Sequence, residues 1–479
     1  MHHTRRSFFK SAATIPFLFS VRCGKAKPDL PNIIVILADD MGYGDLRCLN
    51  PKSKIPTPNM DRLADEGIRF TDAHSGSAVC TPTRYGLLTG RYCWRTELKQ
   101  GVLWGYSPLL IDTKRLTLAS MLKSRGYRTA AVGKWHLGLG NEEKTDYSKS
   151  LSPGPNDLGF DMFFGIPASL DMIPYLYVEN DHAVEQPTET VKEVRQGGLF
   201  WRGGPIAPNF KFEEVLPTLT QKAVTFIKDC AEQNQQPFFL YFPLTAPHTP
   251  WVPVDDFRGK SQAGLYGDFV AQVDWTIGQV LNKLDEYNIV DNTLIILTSD
   301  NGSDERYIGE QYNHEANYIY RGQKSDAWDG GHRVPFLVRW PEMVETNSQS
   351  KQLVCLTDIM ATVADILDEP LPPDAGEDSI SFLPVLKKGA TGSSLRHSVV
   401  HHSVNGTFAI RDGEWKLIYC KGSGGWSLSE EKASQEAPWQ LYNMMDDIRE
   451  RKNLYHQKPE TVSRLDALLQ SLISKGKSR

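Results

Sequence analysis

An unbroken apolar run, Asn32-Ile33-Ile34-Val35-Ile36-Leu37-Ala38, stops abruptly on two adjacent acids, Asp39 and Asp40. Its β-branched residues favour extended backbone, and because the run does not alternate, neither face of the strand can meet water. A strand of that kind belongs in the interior of an α/β sheet. The same texture returns at 237–242 and at 293–298, the latter followed by Ser299-Asp300-Asn301, with shorter candidates at 128–133 and 334–340. Helical patterns over 57–67, 116–126, 218–231, 266–287 and 356–367 alternate with these runs. The first has Pro58 in its opening turn and Gly67 at its stop. Such alternation predicts an α/β architecture, a central mixed sheet with helices on both faces.

From about residue 379 the texture changes. Short strands at 399–402, 407–411 and 414–419 are punctuated by Asp412-Gly413, a hairpin signal. Gly422-Ser423-Gly424-Gly425 reads as a surface loop, and a closing helix over 459–474 aligns Val462, Leu465, Leu468, Leu469 and Leu472 on one face. The expected organisation is therefore a larger α/β domain at 31–378 and a smaller antiparallel sheet-and-helix domain at 379–479. A length of 479 residues suits two domains.

Thr4-Arg5-Arg6-Ser7-Phe8-Phe9-Lys10 precedes a short apolar run, Ala12 to Phe19. Charge followed by hydrophobe is the order of a signal peptide, here of twin-arginine type over 1–30, and the run is too short to span a bilayer. The expectation is an exported, periplasmic protein without stable membrane insertion. A net charge of −5 provides no basic field for nucleic acid, so an anionic ligand needs a local cluster of cations. Seven cysteines without a C-x-x-C pair exclude a disulfide scaffold and a zinc ribbon, while leaving one or two disulfides open.

Ligands of open α/β sheets gather beyond the carboxyl ends of the strands. Asp39-Asp40 and Asp300-Asn301 both stand there, and four oxygen side chains suit a hard cation, calcium or magnesium, better than zinc. The competing reading is that an acid after a strand only caps a turn. Cys80 opens a predicted helix, with Pro82 in its first turn and Arg84 four positions on. Most lone cysteines are inert packing, but reactive thiols sit beside cations and helix N-termini, as this one is placed to do. Lys134, His136, His248 and Lys324 join Arg84 as cations in loops, most of them after a predicted strand, and so point toward one rim. Trp104, Asp171, His182 and Arg202 lie in polar and aromatic loops that would suit a sugar ring and its hydroxyls.

The full string Cys80-Thr81-Pro82-Thr83-Arg84-Tyr85-Gly86-Leu87-Leu88-Thr89-Gly90-Arg91 resembles the maturation motif of the type I sulfatases, in the alkaline phosphatase-like superfamily. Further likeness covers most of 32–339 and the tail segments Gln440-Leu441-Tyr442-Asn443 and Asn453-Leu454. The resemblance implies an alkaline-phosphatase-like fold and a formylglycine made from Cys80 by a formylglycine-generating enzyme. It also implies one calcium ion on Asp39, Asp40, Asp300, Asn301 and residue 80, with Arg84, Lys134, His136, His248 and Lys324 as active-site cations. The implied reaction is hydrolysis of a sulfate monoester, on a sulfated glycan or a small sulfate ester. In it, one hydroxyl of hydrated formylglycine attacks sulfur, the other yields its proton to His136 as sulfate departs, and His248 or Lys324 protonates the leaving oxygen. The segment 169–175 resembles carbohydrate sulfatases acting on galactose-type 6-sulfates. Two alternatives stay open from sequence: a formylglycine-dependent phosphonate or phosphodiester hydrolase, and a non-catalytic glycan-binding protein whose Cys80 is never converted.

Overall fold

In the computed structural model, residues 1–2, 30–233, 236–389 and 396–479 are described; the signal-peptide reading falls almost entirely outside them. The apolar runs become neighbouring strands of one ten-stranded sheet. Five of these are parallel, in the spatial order Thr293–Ser299, Asn32–Asp39, Phe238–Pro247, Arg128–Lys134 and Met162–Ile166. Phe336–Arg339 adds antiparallel beside Thr293–Ser299, and short strands finish both edges. Every residue of the Phe238–Pro247 and Thr293–Ser299 strands is buried, as expected of strands without a polar face.

Helices cover both faces. Val215–Gln233 and Gly264–Glu286 pack on each other and on the Phe238–Pro247 strand, while Cys80–Thr89, Leu118–Ser124 and Asp358–Ile366 form a second layer. Cys80–Thr89 is buried along its whole length, which makes it a core element rather than an amphipathic surface helix. It ends where Gly90 turns left-handed, φ 62, and its N–H returns to the Gly86 carbonyl at 2.8 Å.

The C-terminal strands Ser398–His402, Phe408–Asp412, Trp415–Ile418 and Gln440–Asn443 form an antiparallel sheet in that order. Against it lies the Pro459–Lys475 helix, through Val462, Leu465, Leu469 and Leu472. Asp412 pairs with Trp415, so the hairpin turn is Gly413-Glu414, one residue beyond the predicted Asp412-Gly413. The glycine-rich segment is not a surface loop. Gly422, Ser423 and Gly424 are buried, and the Ser423 carbonyl accepts from the Ala327 N–H at 2.8 Å. A side chain at Gly425 would place its Cβ 2.4 Å from the Ser325 carbonyl oxygen, so only glycine permits this approach.

Between the two sheets sits a buried polar cluster. Lys416 Nζ donates to Asp329 at 2.8 Å and Glu450 at 2.7 Å and meets His332 at 3.1 Å, while the His332 and His401 rings stack at 3.7 Å. Burial holds the His74 and His402 rings down at about 4, and His332 and His401 well below their usual range. Among the described residues, Cys48, Cys80, Cys93, Cys230, Cys355 and Cys420 are all free thiols, and no helix is long and apolar enough to cross a membrane.

Candidate active site

The carboxyl ends of the parallel strands deliver the site. Asp39 closes the first strand, Asp300-Asn301 follow its neighbour on one side, and His248 follows Phe238–Pro247 on the other. Lys134 ends the next strand, placed by Gly133 (φ 139), where a Cβ would fall 1.8 Å from the Pro243 carbonyl oxygen. The parallel register therefore brings together residues far apart in the chain.

Their side chains interlock. Lys134 Nζ donates to both Asp39 oxygens, at 2.9 and 2.7 Å, and to Ser169 Oγ at 3.1 Å. Lys324 Nζ donates to Asp40 Oδ2 at 2.7 Å. Arg84 reaches Asp300 Oδ2 through Nε at 3.2 Å and Nη2 at 2.7 Å, and its Nη1 donates to the Lys134 carbonyl at 2.9 Å. Atoms of Asp39, Asp40, Cys80 and His248 capable of ligation all lie within 4.8 Å of one another. The structure thus brings together Asp39, Asp40, Cys80, Arg84, Lys134, His248, Asp300, Asn301 and Lys324. His136 joins Cys80, His248 and Lys324 in lining one cavity.

The acids fit a hard cation. Asn301 Nδ2 donates to Asp40 Oδ1 at 2.7 Å, leaving its Oδ1 buried with no partner. A buried amide oxygen without a hydrogen bond is unfavourable unless something electropositive meets it, as a bound cation would. Burial raises the Asp39 carboxyl, but Lys134, His248 and Arg84 outweigh it and hold the group below its usual range. Burial and the charge of Asp39 push Asp300 up, against Arg84.

The Cys80 thiol is buried at the head of its helix. Cys80 does open a helix beside two lysines, yet burial, aided by Asp300 and Asp39, pushes it up to about 12 against Lys134 and Lys324. It is a neutral thiol rather than an activated thiolate, because desolvation exceeds the attraction of the cations. His136 adopts a left-handed backbone, φ 56, and its Nε2 donates to the Leu103 carbonyl at 2.8 Å. Its buried Nδ1 has no partner, and burial with Lys134 and Arg84 holds the ring well below its usual range, so Nδ1 carries a free lone pair. His248 Nδ1 donates to the Thr249 carbonyl at 2.6 Å, and Nε2 faces Ser169 Oγ at 3.2 Å and Asp40 at 3.6 Å.

A cavity of about 560 Å³ opens over Cys80. Trp104, Asp171 and Arg202 line it: the Arg202 guanidinium lies 4.8 Å over the Trp104 ring and pairs with Asp171 Oδ2, while Asp171 Oδ1 is buried without a partner. His182 is not brought there. It sits exposed on the edge strand His182–Ala183, hydrogen-bonded to Asp181, because its loop feeds the sheet edge rather than the rim. Sequence reasoning missed Ser169, Arg306 and Trp426, which also belong to this region. Trp426 follows the glycine-rich segment, whose pattern reads as a surface loop and gives no signal of a site.

The family model for sulfatases matches residues 31–369, and that for the C-terminal part of N-sulphoglucosamine sulphohydrolase matches 323–475. The N-acetylgalactosamine-6-O-sulfatase of Bacteroides thetaiotaomicron is 39% identical over 92% of this chain and 93% of its own. Human arylsulfatase A is 31% identical over 91% of this chain and 86% of its own. A solved Bacteroides thetaiotaomicron sulfatase structure, from work on the metabolism of multiple glycosaminoglycans, superposes with a TM-score of 0.84. It is 37% identical and covers 93% of this chain and 100% of that one. The chain belongs to the sulfatase family of the alkaline phosphatase-like superfamily, and is a sulfuric ester hydrolase.

Proposed function

We propose that this sulfatase is exported and removes sulfate from the 6-position of galactose-type sugars. In this reading Cys80 is matured to formylglycine by a formylglycine-generating enzyme, and Asp39, Asp40, Asp300 and Asn301 hold one calcium ion. The sugar assignment is supported by the relative named for N-acetylgalactosamine 6-sulfate, which matches nearly the whole chain. The observation that carries it is Asp171. Asp171 lines the cavity over Cys80; one of its carboxylate oxygens is fixed by Arg202, and the other is buried without a partner and would accept from a sugar hydroxyl that displaces its cover.

When bound, calcium draws charge from the sulfuryl oxygens; formylglycine, when formed, supplies a hydrated aldehyde with one hydroxyl to attack sulfur and a second to drive sulfate release. The chain's own residues do the rest. Lys134 and Lys324 fix the carboxylates of Asp39 and Asp40 and present positive charge to the sulfate. Arg84 ties Asp300 to the Lys134 backbone, so that the acids from two strands keep one geometry. His136 accepts a proton at Nδ1, the nitrogen left free by the Leu103 carbonyl. His248 delivers a proton to the departing alkoxide oxygen from Nε2, the nitrogen not engaged by Thr249.

The test is sulfate release from 6-sulfated and 4-sulfated N-acetylgalactosamine, with nitrophenyl phosphate alongside. Preference for the 6-sulfate is expected; preference for the 4-sulfate or the phosphate overturns the reading. Asp300→Asn should weaken calcium binding by calorimetry more than about 100-fold and lower turnover with it, since even outer partners of metal ligands contribute 10- to 100-fold. Unchanged calcium affinity would remove Asp300 from the ligand set.

A further inference from the structure

The charge of the cavity lining is unusual for a chain of net charge −5. Arg195, Arg202, Arg306 and Lys324 line the cavity against two carboxylates, Asp171 and Asp304. Its mouth also gathers three of the few large apolar side chains that are exposed: Trp104 at 50%, Trp426 at 40% and Tyr307 at 38%. Exposed aromatics clustered at one opening mark a binding surface.

Trp426 is anchored through its backbone. Its main-chain N–H donates to Ser325 Oγ at 3.0 Å and to Asp326 Oδ1 at 2.9 Å, residues that immediately follow Lys324 in the chain. Lys324 Nζ is 6.0 Å from the indole centroid, and the Arg306 guanidinium stacks 3.9 Å from the same centroid. Arg306 spends Nε and Nη2 on Asp304, at 2.9 and 2.6 Å, which leaves Nη1 without a partner among the described residues. Arg195 is arranged alike: Nε and Nη2 meet Glu193 and Nη1 is left over. Each arginine is thus oriented by one carboxylate while an outward N–H stays available for a second anion.

We propose that Arg306, with Arg195 beside it and Trp426 as the stacking surface, forms a second anion subsite. It binds a carboxylate or sulfate on the sugar next to the one being desulfated, so the preferred substrate is a polyanionic oligosaccharide. The proposal rests on the 6-sulfate reading above.

The test compares kcat/KM for wild type and Arg306→Gln on 6-sulfated N-acetylgalactosamine joined to a neutral hexose, to a uronic acid, or to a sulfated hexose. Wild type should prefer one or both anionic partners over the neutral one by at least about 10-fold through KM, and Arg306→Gln should reduce that ratio by about 10-fold. Added salt should erode the wild-type ratio, as expected of an exposed charge contact. Which anionic arm gains identifies carboxylate or sulfate as the group read. A wild-type ratio near one, or a ratio unaltered in Arg306→Gln, overturns the subsite. If only 4-sulfated substrates are hydrolysed, the 6-sulfate reading fails, and the same ratio measured on 4-sulfated counterparts still decides the subsite.

Discussion

Replacing Asp171 with Asn tests how the enzyme distinguishes a sugar sulfate from a bare aryl sulfate. Asp171 lines the cavity that contains Cys80; its Oδ2 is engaged by Arg202 Nη1, whereas Oδ1 is buried and unpartnered. In Asp171→Asn the amide oxygen stays toward Arg202, because an NH2 there would oppose another donor. The NH2 then takes the place of Oδ1, and an acceptor for sugar hydroxyls becomes a donor. A hydrogen bond to a charged group contributes about 1.5–3 kcal/mol, or roughly 10- to 150-fold in rate. The Arg202 side chain is 30% exposed, so its charge remains hydrated and the fold should tolerate the change. The assay is kcat/KM on 6-sulfated N-acetylgalactosamine divided by kcat/KM on nitrophenyl sulfate, which has no hydroxyls to read. That ratio should fall by roughly 10- to 150-fold. An unchanged ratio, or equal losses on both substrates, would refute the assignment of Asp171 to the sugar.

Two further expectations concern the cluster that joins the sheets. Lys416→Met strands the buried Glu450 and removes a partner of Asp329, and should destabilise the protein by about 3–5 kcal/mol in urea unfolding at pH 8. Burial, against Lys416, already raises Glu450 to about 7, so protonation should make the loss smaller at pH 5.5; a loss under about 1 kcal/mol at pH 8 contradicts the picture. The buried histidines act on the acid side. The unfolded chain takes up their protons below its usual 6.5, but the folded His74 and His402 do so only near 4, so stability is full above 6.5 and is lost as pH falls from 6.5 toward 4. His74 alone accounts for roughly 3 kcal/mol of this, and His402→Leu should flatten the profile of denaturation midpoint against pH; a profile equally steep in the variant argues against it.

Much of the fold was legible because its strands are buried on both faces. The runs at 32–38 and 293–298 have no alternation to confuse them with surface strands, and they are adjacent in the sheet. Parallel strands share one carboxyl edge, which is why Asp39 and Asp300 could be placed together from sequence. The short edge strands, among them His182–Ala183, carry no such pattern, and His182 was misplaced in consequence. Arg306 and Trp426 were invisible for another reason. The position of Trp426 depends on the buried glycine-rich segment docking on Ser325 and Asp326, a contact across about 100 residues that no local period encodes, and Arg306 gains its site character only from lying against that ring. At Cys80 the neighbouring cations can be read from sequence, but the desolvation that opposes them cannot.

The central claim is that residue 80 reacts as something other than a thiol. Its most direct test is intact-peptide mass spectrometry across Cys80 in protein from the native host, with Cys80→Ala assayed in parallel. A peptide lighter by about 18 Da, thiol to aldehyde, is expected, together with loss of sulfate release in the variant. An unmodified thiol in fully active protein, or turnover that survives Cys80→Ala, would contradict the account.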